Sequence, residues 1–438
     1  MHFEPWPVLV RRDSPILTRP GSDSIYGSPK SLMRIPMNTK PAMSKTEFIS
    51  LVAMMMATIA FSIDAMLPAL PEIGVQLSPD DINQAQLILT SFVLGMGIGT
   101  FFTGPLSDAF GRKPVIITGA ALYIIAAGVA WASSSLELVL VARVVMGLGA
   151  AGPRVVAIAI VRDLYSGREM ARMMSIAMMI FTLVPAIAPM LGQFIILIAG
   201  WRGIFAAFAL FALIIALWTQ IRLPEPLAIE NRRPFQLPLL LAAVKEIVLH
   251  PTVRLSILVQ TLCLAILFSM ITMVQQIYDL IFERADSFPL WFSLVALLSG
   301  SASLLNAAFV VRIGMRRIVT WSLAAQILLS ASVLTLSGLE LPGSLAFGIF
   351  VVWQTSVFFM AGTTLGNLNA MAMEPMGHIA GMAASVIGAI STVLAAAIAA
   401  PIGLLFNGTL LPITLGILVM SSIGYLIMLH MARVEARF

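Results

Sequence analysis

Residues 104–113 read Gly-Pro-Leu-Ser-Asp-Ala-Phe-Gly-Arg-Lys. A continuous apolar run lies on each side of this polar segment, over residues 83–106 and 114–133. Each run has about the 20 residues that an α-helix needs to cross a lipid bilayer. The segment therefore predicts a short basic connection between two membrane-spanning helices, in which Gly111 permits the turn.

Similar apolar runs continue along the chain and predict twelve membrane-spanning helices. At about 20 residues each they need roughly 240 residues, which leaves a tail, one longer middle loop and short connections. Of the 438 residues, 59% are hydrophobic and 11% are charged, whereas an ordinary soluble domain is roughly 25% charged. This composition excludes a soluble enzyme and predicts an all-α integral membrane protein. The predicted spans are 47–70, 83–106, 114–133, 136–161, 169–198, 202–222, 252–280, 288–311, 317–338, 343–371, 378–406 and 409–432.

The predicted spans divide into two bundles of six helices, over residues 46–222 and 252–433. Between them lies a predicted cytoplasmic middle loop, 223–251, which begins Leu-Pro-Glu-Pro. Residues 1–45 are rich in Pro, Ser and Arg, and we expect them to form a disordered cytoplasmic tail. Translation from a later Met within that stretch would give a shorter leader.

Lys and Arg residues gather in one set of the predicted connections and in the C-terminal tail on the same side, which together carry fifteen of them. The opposite set carries only Arg202 and Arg284. Because positively charged loops are retained in the cytoplasm, this asymmetry predicts a multi-pass protein of the bacterial inner membrane with both termini cytoplasmic. The positive charges are spread over many loops, so no concentrated basic face for nucleic acid is predicted.

The sequence offers no set of residues typical of a metal or cofactor site. It contains one cysteine, Cys263, and four histidines that lie apart from one another, so neither a disulfide nor a metal-ligand cluster is predicted. No GxxxxGK[ST] stretch for binding a nucleotide occurs. We therefore expect no metal, no cofactor and no enzymatic activity.

The segment quoted first resembles the cytoplasmic signature loop of the major facilitator superfamily. Two further segments resemble the drug:proton antiporters of its Bcr/CflA multidrug-resistance group: Arg143-Val-Val-Met-Gly in the fourth span and Pro185-Ala-Ile-Ala-Pro189 in the fifth, which Gly192 follows. The resemblance covers residues 47–432. It implies two six-helix pseudo-repeats, a central cavity lined by spans 1, 4, 7 and 10, and an antiporter motif in span 5.

The residues of the loop predict a gate at the cytoplasmic side. Gly104 permits a close contact between helices, and Asp108 can face the positive N-terminus of span 11. Arg112 can pair with Asp163 at the cytoplasmic end of span 4. The predicted gate residues are Gly104, Leu106, Asp108, Gly111, Arg112, Lys113 and Asp163.

Three charged residues lie well inside predicted spans, away from their ends: Asp64, Arg143 and Arg154. A charge in the hydrocarbon costs about 2.5–3.5 kcal/mol on insertion scales and marks transport pathways. Asp64 and Arg143 are matched in depth, which leaves two interpretations: a proton-coupling site in the cavity, or a permanent ion pair between helices. Arg154 shares a helix face with Arg143 and either lines the cavity or extends to the membrane interface.

Polar side chains on spans 7 and 10 are candidates for contact with a substrate. Hydrogen bonding between neighbouring helices is the alternative interpretation of the same residues. The candidates are Gln275, Gln276, Trp353, Gln354 and Asn367.

These features predict a proton-coupled secondary transporter that exports small amphipathic drugs across the inner membrane by alternating access. Its predicted partners are the drug, protons and the lipid bilayer, and we expect a monomer. The alternative is a transporter of a native metabolite, such as an amino acid or a peptide, with the same fold and coupling. A membrane sensor is a third reading, which the short loops disfavour.

Overall fold

The computed structural model describes residues 43–435, without the side chains at positions 171, 182, 434 and 435. The regular structure of these residues is entirely helical, which confirms the predicted all-α fold class. The predicted disordered tail lies outside the described residues, except for its last three positions. The helices are α1 (Lys45–Asp64), α2 (Leu70–Leu77), α3 (Leu87–Phe110), α4 (Arg112–Ala132), α5 (Leu136–Leu164), α6 (Gly167–Arg222), α7 (Leu237–Leu249), α8 (Pro251–Gln276), α9 (Phe288–Ile313), α10 (Met315–Leu336), α11 (Gly343–Met373), α12 (Ala380–Leu404) and α13 (Leu411–Glu435).

Ten helical segments of the described chain are long and apolar enough to cross a membrane. Two of them have double length: Gly167–Arg222 with 56 residues and Gly343–Leu404 with 62. The first is broken where Gly200 takes φ 65°, a conformation that residues other than glycine rarely adopt. The second joins α11 to α12 through a 3-10 segment, Glu374–Ile379. Divided at these breaks, the ten segments correspond to the twelve predicted spans.

Part of the predicted middle loop is a helix. α7 has a proline at its second position, and it buries Leu240, Ala243 and Ile247. Residues spaced by three and four positions lie on one side of a helix. With 13 residues, α7 is too short to span a bilayer, and it packs against α8 and α12.

α3 and α12 run antiparallel and pack against each other from one end of the bundle to the other. Gln86, just before α3, lies against Gly403. At the opposite end, a Cβ on Gly104 would lie 2.6 Å from Oγ of Ser385. The close helix contact predicted at Gly104 is therefore confirmed, and it joins a helix of the predicted first bundle to a helix of the predicted second bundle.

The buried apolar side chains form one cluster that both bundles share and two clusters that each lie on one side of the molecule. We call the end with residues 104–113 the motif end and the opposite end, with Asn83 and Gln86, the far end. One large cluster joins both bundles and includes Ile88 and Val274. Two smaller clusters, whose buried members each belong to one side of the molecule, lie toward the motif end. The two bundles therefore share a core at the far end and have separate cores at the motif end.

Glycines allow α3 and α5 to approach at backbone distance. A Cβ on Gly95 would lie 1.9 Å from the carbonyl oxygen of Val144, and one on Gly147 would lie 2.1 Å from that of Phe92. Membrane helices pack through such small residues because lipid supplies no hydrophobic drive between them. This contact fixes the rotation of α5 and hence the direction of its arginine side chains.

Candidate functional site

Asp64 is the last residue of α1 and is buried, with 4% of its surface exposed. The chain continues as a 3-10 turn that contains Pro68, which lacks an N–H to extend the α-helix. α6 packs directly beside this point, since a Cβ on Gly192 would lie 2.1 Å from the carbonyl oxygen of Ala65. Within the described chain, no hydrogen bond or ion pair involves the Asp64 carboxylate.

Arg143 is fully buried on α5 and bonds to backbone rather than to a carboxylate. Its Nε donates to the carbonyl oxygen of Ile88 at 3.1 Å, and its Nη2 donates to that of Ser62 at 3.0 Å. The guanidinium also lies over the ring of Phe92, 4.4 Å from the ring centre. Nη1 is buried without a hydrogen-bond partner. Arg143 thus holds α1, α3 and α5 together near Asp64.

The permanent ion pair between Asp64 and Arg143, one of the two sequence interpretations, is not found among the described residues. The end of α1 supplies the reason. Met66 N donates to the carbonyl oxygen of Ile63, which leaves the Ser62 carbonyl to accept from Arg143. The proton-coupling role of Asp64 and Arg143 stays a prediction.

Arg154 lies on the same face of α5, eleven residues and about 16 Å from Arg143 along the helix. Its side chain is exposed, and its one contact among the described residues is from Nη1 to Sδ of Met96 at 3.8 Å. Met96 N lies beside Gly147, two helical turns closer to the far end than Arg154. The guanidinium therefore points toward the far end, and the cavity-lining role of Arg154 stays a prediction.

The gate motif folds around Arg112. Its Nε donates to Oδ2 of Asp163 at 2.8 Å, so the predicted ion pair is present. Its Nη1 donates to Oγ of Ser107 at 2.7 Å and to Oδ1 of Asp108. Gly111 takes φ 104°, as the predicted turn requires. Asp108 is therefore bonded within its own bundle, and no described contact joins its side chain to the N-terminus of α12.

The two remaining gate residues are Leu106 and Lys113. Leu106 is half-buried on α3. Lys113 Nζ donates to the carbonyl oxygen of Gln220 at 2.7 Å, in the last turn of α6. A cation near a helix C-terminus is favoured by the helix dipole, so Lys113 ties the start of α4 to the end of α6.

Glu225 contacts the gate motif, and the sequence reasoning missed this residue. Its Oε1 accepts from Arg112 N at 2.8 Å, and its Oε2 accepts from Lys113 N at 2.9 Å. It therefore caps the N-terminus of α4 with a negative charge. Arg233 N donates to the carbonyl oxygen of Asp108 at 3.0 Å, so the start of the middle segment is docked on the motif. A glutamate between two prolines directly after a span, Pro224-Glu225-Pro226, is the signal that the sequence offered.

The predicted antiporter motif of span 5 lies inside α6. Pro185 and Pro189 are both within this helix, where each removes one backbone donor. The carbonyl oxygen of Ala186 accepts from Oγ of Ser293 on α9. This contact joins the two bundles beside the prolines, and Gly192 makes the close approach to α1 described above.

Two of the five substrate candidates are bonded inside the second bundle. Trp353 Nε1 donates to Oγ of Ser330 at 3.0 Å, which joins α11 to α10. Tyr278 OH donates to Oε1 of Gln354 at 2.9 Å, and Nε2 of Gln354 is buried without a partner. These contacts fit the interhelical interpretation, and contact with a substrate stays a prediction.

Asn367 and Gln275, two further candidates, are also buried. Asn367 Nδ2 donates to Oδ1 of Asn306 at 2.7 Å and so joins α11 to α9. Oε1 of Gln275 has no hydrogen-bond partner. The structure therefore does not gather the five candidates around one common space.

The fifth candidate, Gln276, belongs to a cluster of amides at the far end. It accepts from Nε2 of Gln86, and its own Nε2 donates to Oδ1 of Asn83 at 3.4 Å. Asn83 Nδ2 donates in turn to the carbonyl oxygen of Phe406 at 2.8 Å. We call Asn83, Gln86 and Gln276 the amide latch, since they bridge the two bundles. No local pattern signals this pairing, because Gln86 and Gln276 are 190 positions apart.

A search of the described residues finds no group of three or more His, Cys, Asp or Glu side chains that could hold a metal ion.

The chain is similar to known membrane proteins along most of its length. The profile of the Major Facilitator Superfamily matches residues 50–401. The bicyclomycin resistance protein homolog of Haemophilus influenzae is 32% identical over 321 residues, which cover 71% of this chain and 77% of that protein. Multidrug resistance protein MdtL of Escherichia coli is 35% identical over 163 residues, which cover 37% of this chain and 41% of MdtL. A crystal structure of the D-xylose-proton symporter aligns with a TM-score of 0.68 at 15% identity, over 89% of this chain and 97% of the symporter, and shows the shared fold.

Proposed function

The chain belongs to the Major Facilitator Superfamily, and we propose that it exports small amphipathic drugs in exchange for protons by alternating access. It is a multi-pass membrane protein and not an enzyme. We assign it to the bacterial inner membrane, as a monomer with both termini in the cytoplasm. The names of the bicyclomycin resistance homolog and of MdtL support drug export as the activity.

The observation that carries the proposal is the state of Asp64. It is buried, it has no partner among the described residues, and the nearby guanidinium of Arg143 is held by the Ser62 carbonyl. An ionised carboxylate without a partner is costly in a membrane. Its charge must therefore be neutralised by a proton or by a cation during the cycle. A coupling site needs this property, because it must exchange a proton for another partner.

The two ends of the molecule support alternating access. The amide latch and the shared core join the bundles at the far end, whereas at the motif end each bundle has its own core and the two touch where Gly104 of α3 meets Ser385 of α12. With the motif end in the cytoplasm, a drug enters between the bundles from that side. Opening the far end then breaks the amide latch and exposes Asp64 to protons from outside. Protonation there favours release of the drug, and deprotonation toward the cytoplasm restores the affinity for it.

The proposal is tested by expressing the chain in an efflux-deficient bacterium and measuring susceptibility to a panel of amphipathic antibiotics that includes bicyclomycin. We expect protection against at least one compound, and we expect an uncoupler of the proton gradient to raise the accumulation of that compound to the level of an empty vector. Protection against no compound, together with proton-dependent movement of one amino acid or peptide, would favour the metabolite alternative.

A further inference from the structure

The interior of the membrane-spanning part carries more positive than negative charge. Deep within the spans of the first bundle lie one carboxyl group, on Asp64, and two guanidinium groups, on Arg143 and Arg154. Four spans of the second bundle contribute no charge to set against them, so the balance stays positive even when Asp64 is ionised. The stretches of the second bundle without any Asp, Glu, Lys or Arg are 255–278, 288–311, 343–373 and 380–404.

The two guanidinium groups differ in what they bind. Arg143 directs two nitrogens to backbone carbonyls and lies against an aromatic ring. A guanidinium carries five N–H donors, yet the one described acceptor for Arg154 is the thioether of Met96 at 3.8 Å, and a thioether is a weak acceptor. Arg154 therefore presents donors that the protein itself does not use.

The surface of α5 around Arg154 is open toward the motif end. Ile158, one turn closer to the motif end on a neighbouring face, is 42% exposed. Gly147, on the side toward the far end, is packed against α3. In the proposed orientation, Arg154 is thus a positive charge well inside the cytoplasmic end of α5, beside the apolar side chain of Met96, with Arg143 about 16 Å further in.

We infer that this pathway takes amphipathic substrates that carry an acidic group, and that Arg154 binds that group. The inference rests on the proposed function and names the substrate class of the same pathway. A guanidinium binds a carboxylate, phosphate or sulfonate through two parallel hydrogen bonds, and the apolar surroundings contact the rest of the molecule. A lipophilic cation meets two positive charges on the same path and binds weakly.

Fluorescein and rhodamine 6G are matched probes for the test, because both are built on a xanthene ring. At pH 8 the first is an anion and the second a cation. The full-length protein in lipid nanodiscs is titrated with each dye, binding is followed by fluorescence polarisation, and empty nanodiscs give the contribution of the lipid. We expect the wild-type protein to bind fluorescein at least tenfold more tightly than rhodamine 6G.

Three variants assign the effect to Arg154. Arg154→Gln is expected to lose fluorescein affinity by at least tenfold while rhodamine 6G affinity stays or rises. Arg154→Lys keeps the charge but not the two parallel bonds, so it retains part of the preference. Arg312→Gln removes an exposed charge at the motif end of α9 and is expected to behave as wild type.

The inference is overturned by a wild-type protein that binds both dyes equally or prefers rhodamine 6G. It is also overturned by an Arg154→Gln protein that keeps its fluorescein affinity, or that loses affinity for both dyes alike as a structural defect would cause. Binding is measured here without transport. A protein that exports drugs in the susceptibility panel but lacks the preference for anions refutes this inference alone, whereas one that binds anions but exports no drug refutes the proposed function.

Discussion

The far end and the motif end of the molecule are held by different chemistry. At the far end, neutral amides and a shared apolar core join the two bundles. At the motif end the side chains are charged, and their ion pairs, such as Arg112–Asp163 and Arg222–Glu47, lie within a single bundle.

This difference suggests a division of roles. A neutral hydrogen bond contributes only about 0.5–1.5 kcal/mol net, so a closure made of amides can open and form again in every cycle. A buried charge that loses its partner costs more, so the pairs around Arg112 hold the first bundle as one body while it moves. The amide latch therefore determines whether the far end is open or closed, and the gate motif keeps the first bundle rigid while it moves.

The largest effect is expected at Asp64, which lies between the two ends. Asp64→Asn keeps the shape but removes the exchangeable proton, so active drug efflux should be lost while drug exchange without a gradient survives. Drug-induced proton movement in everted vesicles measures the loss, with expression and thermal stability measured in parallel. Glu72→Gln, an exposed acid of α2, serves as control and should pump normally. An Asp64→Asn protein that still drives a drug against its gradient with proton exchange would falsify the coupling assignment.

The second prediction concerns the contact between the two bundles at the far end. Replacing Gln86 and Gln276 together by Leu removes their hydrogen bond and should shift the population toward a far-end-open state by about fivefold or more, since each bond contributes about 1 kcal/mol. Spin labels at Gln84 and Asn407, both exposed beside the latch, report the width of the far end by pulsed electron resonance. We expect a longer distance to become populated.

The control for that experiment is the same kind of substitution within one bundle. Gln354→Leu also removes an amide that bonds to a neighbouring side chain, but its partner, Tyr278, belongs to the same bundle. The distance distribution should therefore stay as in the parent protein, which carries Cys263→Ser so that only the introduced cysteines are labelled. If the latch variant and the control had equal distance distributions, the amide latch would not control opening of the far end.

The third prediction concerns the motif end. Asp163→Asn weakens a pair with Arg112 in which the acid is 19% exposed, whereas Asp108→Asn weakens a pair with the same arginine in which the acid is 42% exposed. Because solvent screens the second pair more strongly, Asp163→Asn should lower Tm by several degrees and Asp108→Asn by less. Asp108→Asn should insert normally into the membrane and yet transport more slowly. Equal Tm losses, or wild-type transport by Asp108→Asn at equal expression, would contradict this reading of the gate.

Patterns that are local in sequence predicted the fold and part of the site. Apolar runs gave the spans because a bilayer imposes their length. The Arg112–Asp163 pair followed from helix ends that meet on the same side of the membrane. α7 also has a local signal, since Pro238 at its start and the spacing of Leu240, Ala243 and Ile247 are typical of a helix. Reading the whole stretch between the bundles as a loop overlooked it.

Contacts that depend on where a helix stops were not predictable in the same way. Depth matching brought Asp64 and Arg143 close, but the end of α1 turns the Ser62 carbonyl toward Arg143 and leaves the carboxylate unpaired. Likewise, the amide latch depends on how two bundles far apart in sequence meet. Such details need the three-dimensional packing, because a residue pattern does not specify which donor reaches which acceptor.

The smallest expected effect separates the docked middle segment from the gate motif. Glu225→Gln removes a negative charge and one acceptor at the N-terminus of α4, where such a cap contributes about 0.5–2 kcal/mol. The backbone amides of Arg112 and Lys113, which bond to Glu225, should then exchange with solvent faster, as hydrogen-exchange mass spectrometry of the peptide that contains them would measure. Glu230→Gln is the matched control, because Glu230 is exposed on the same segment and caps no helix. The far-end distance should change in neither variant, since the charges of the motif end act within one bundle. Unchanged exchange in Glu225→Gln would mean that α4 begins stably without its cap, and a changed far-end distance would mean that the two ends are coupled more tightly than their contacts indicate.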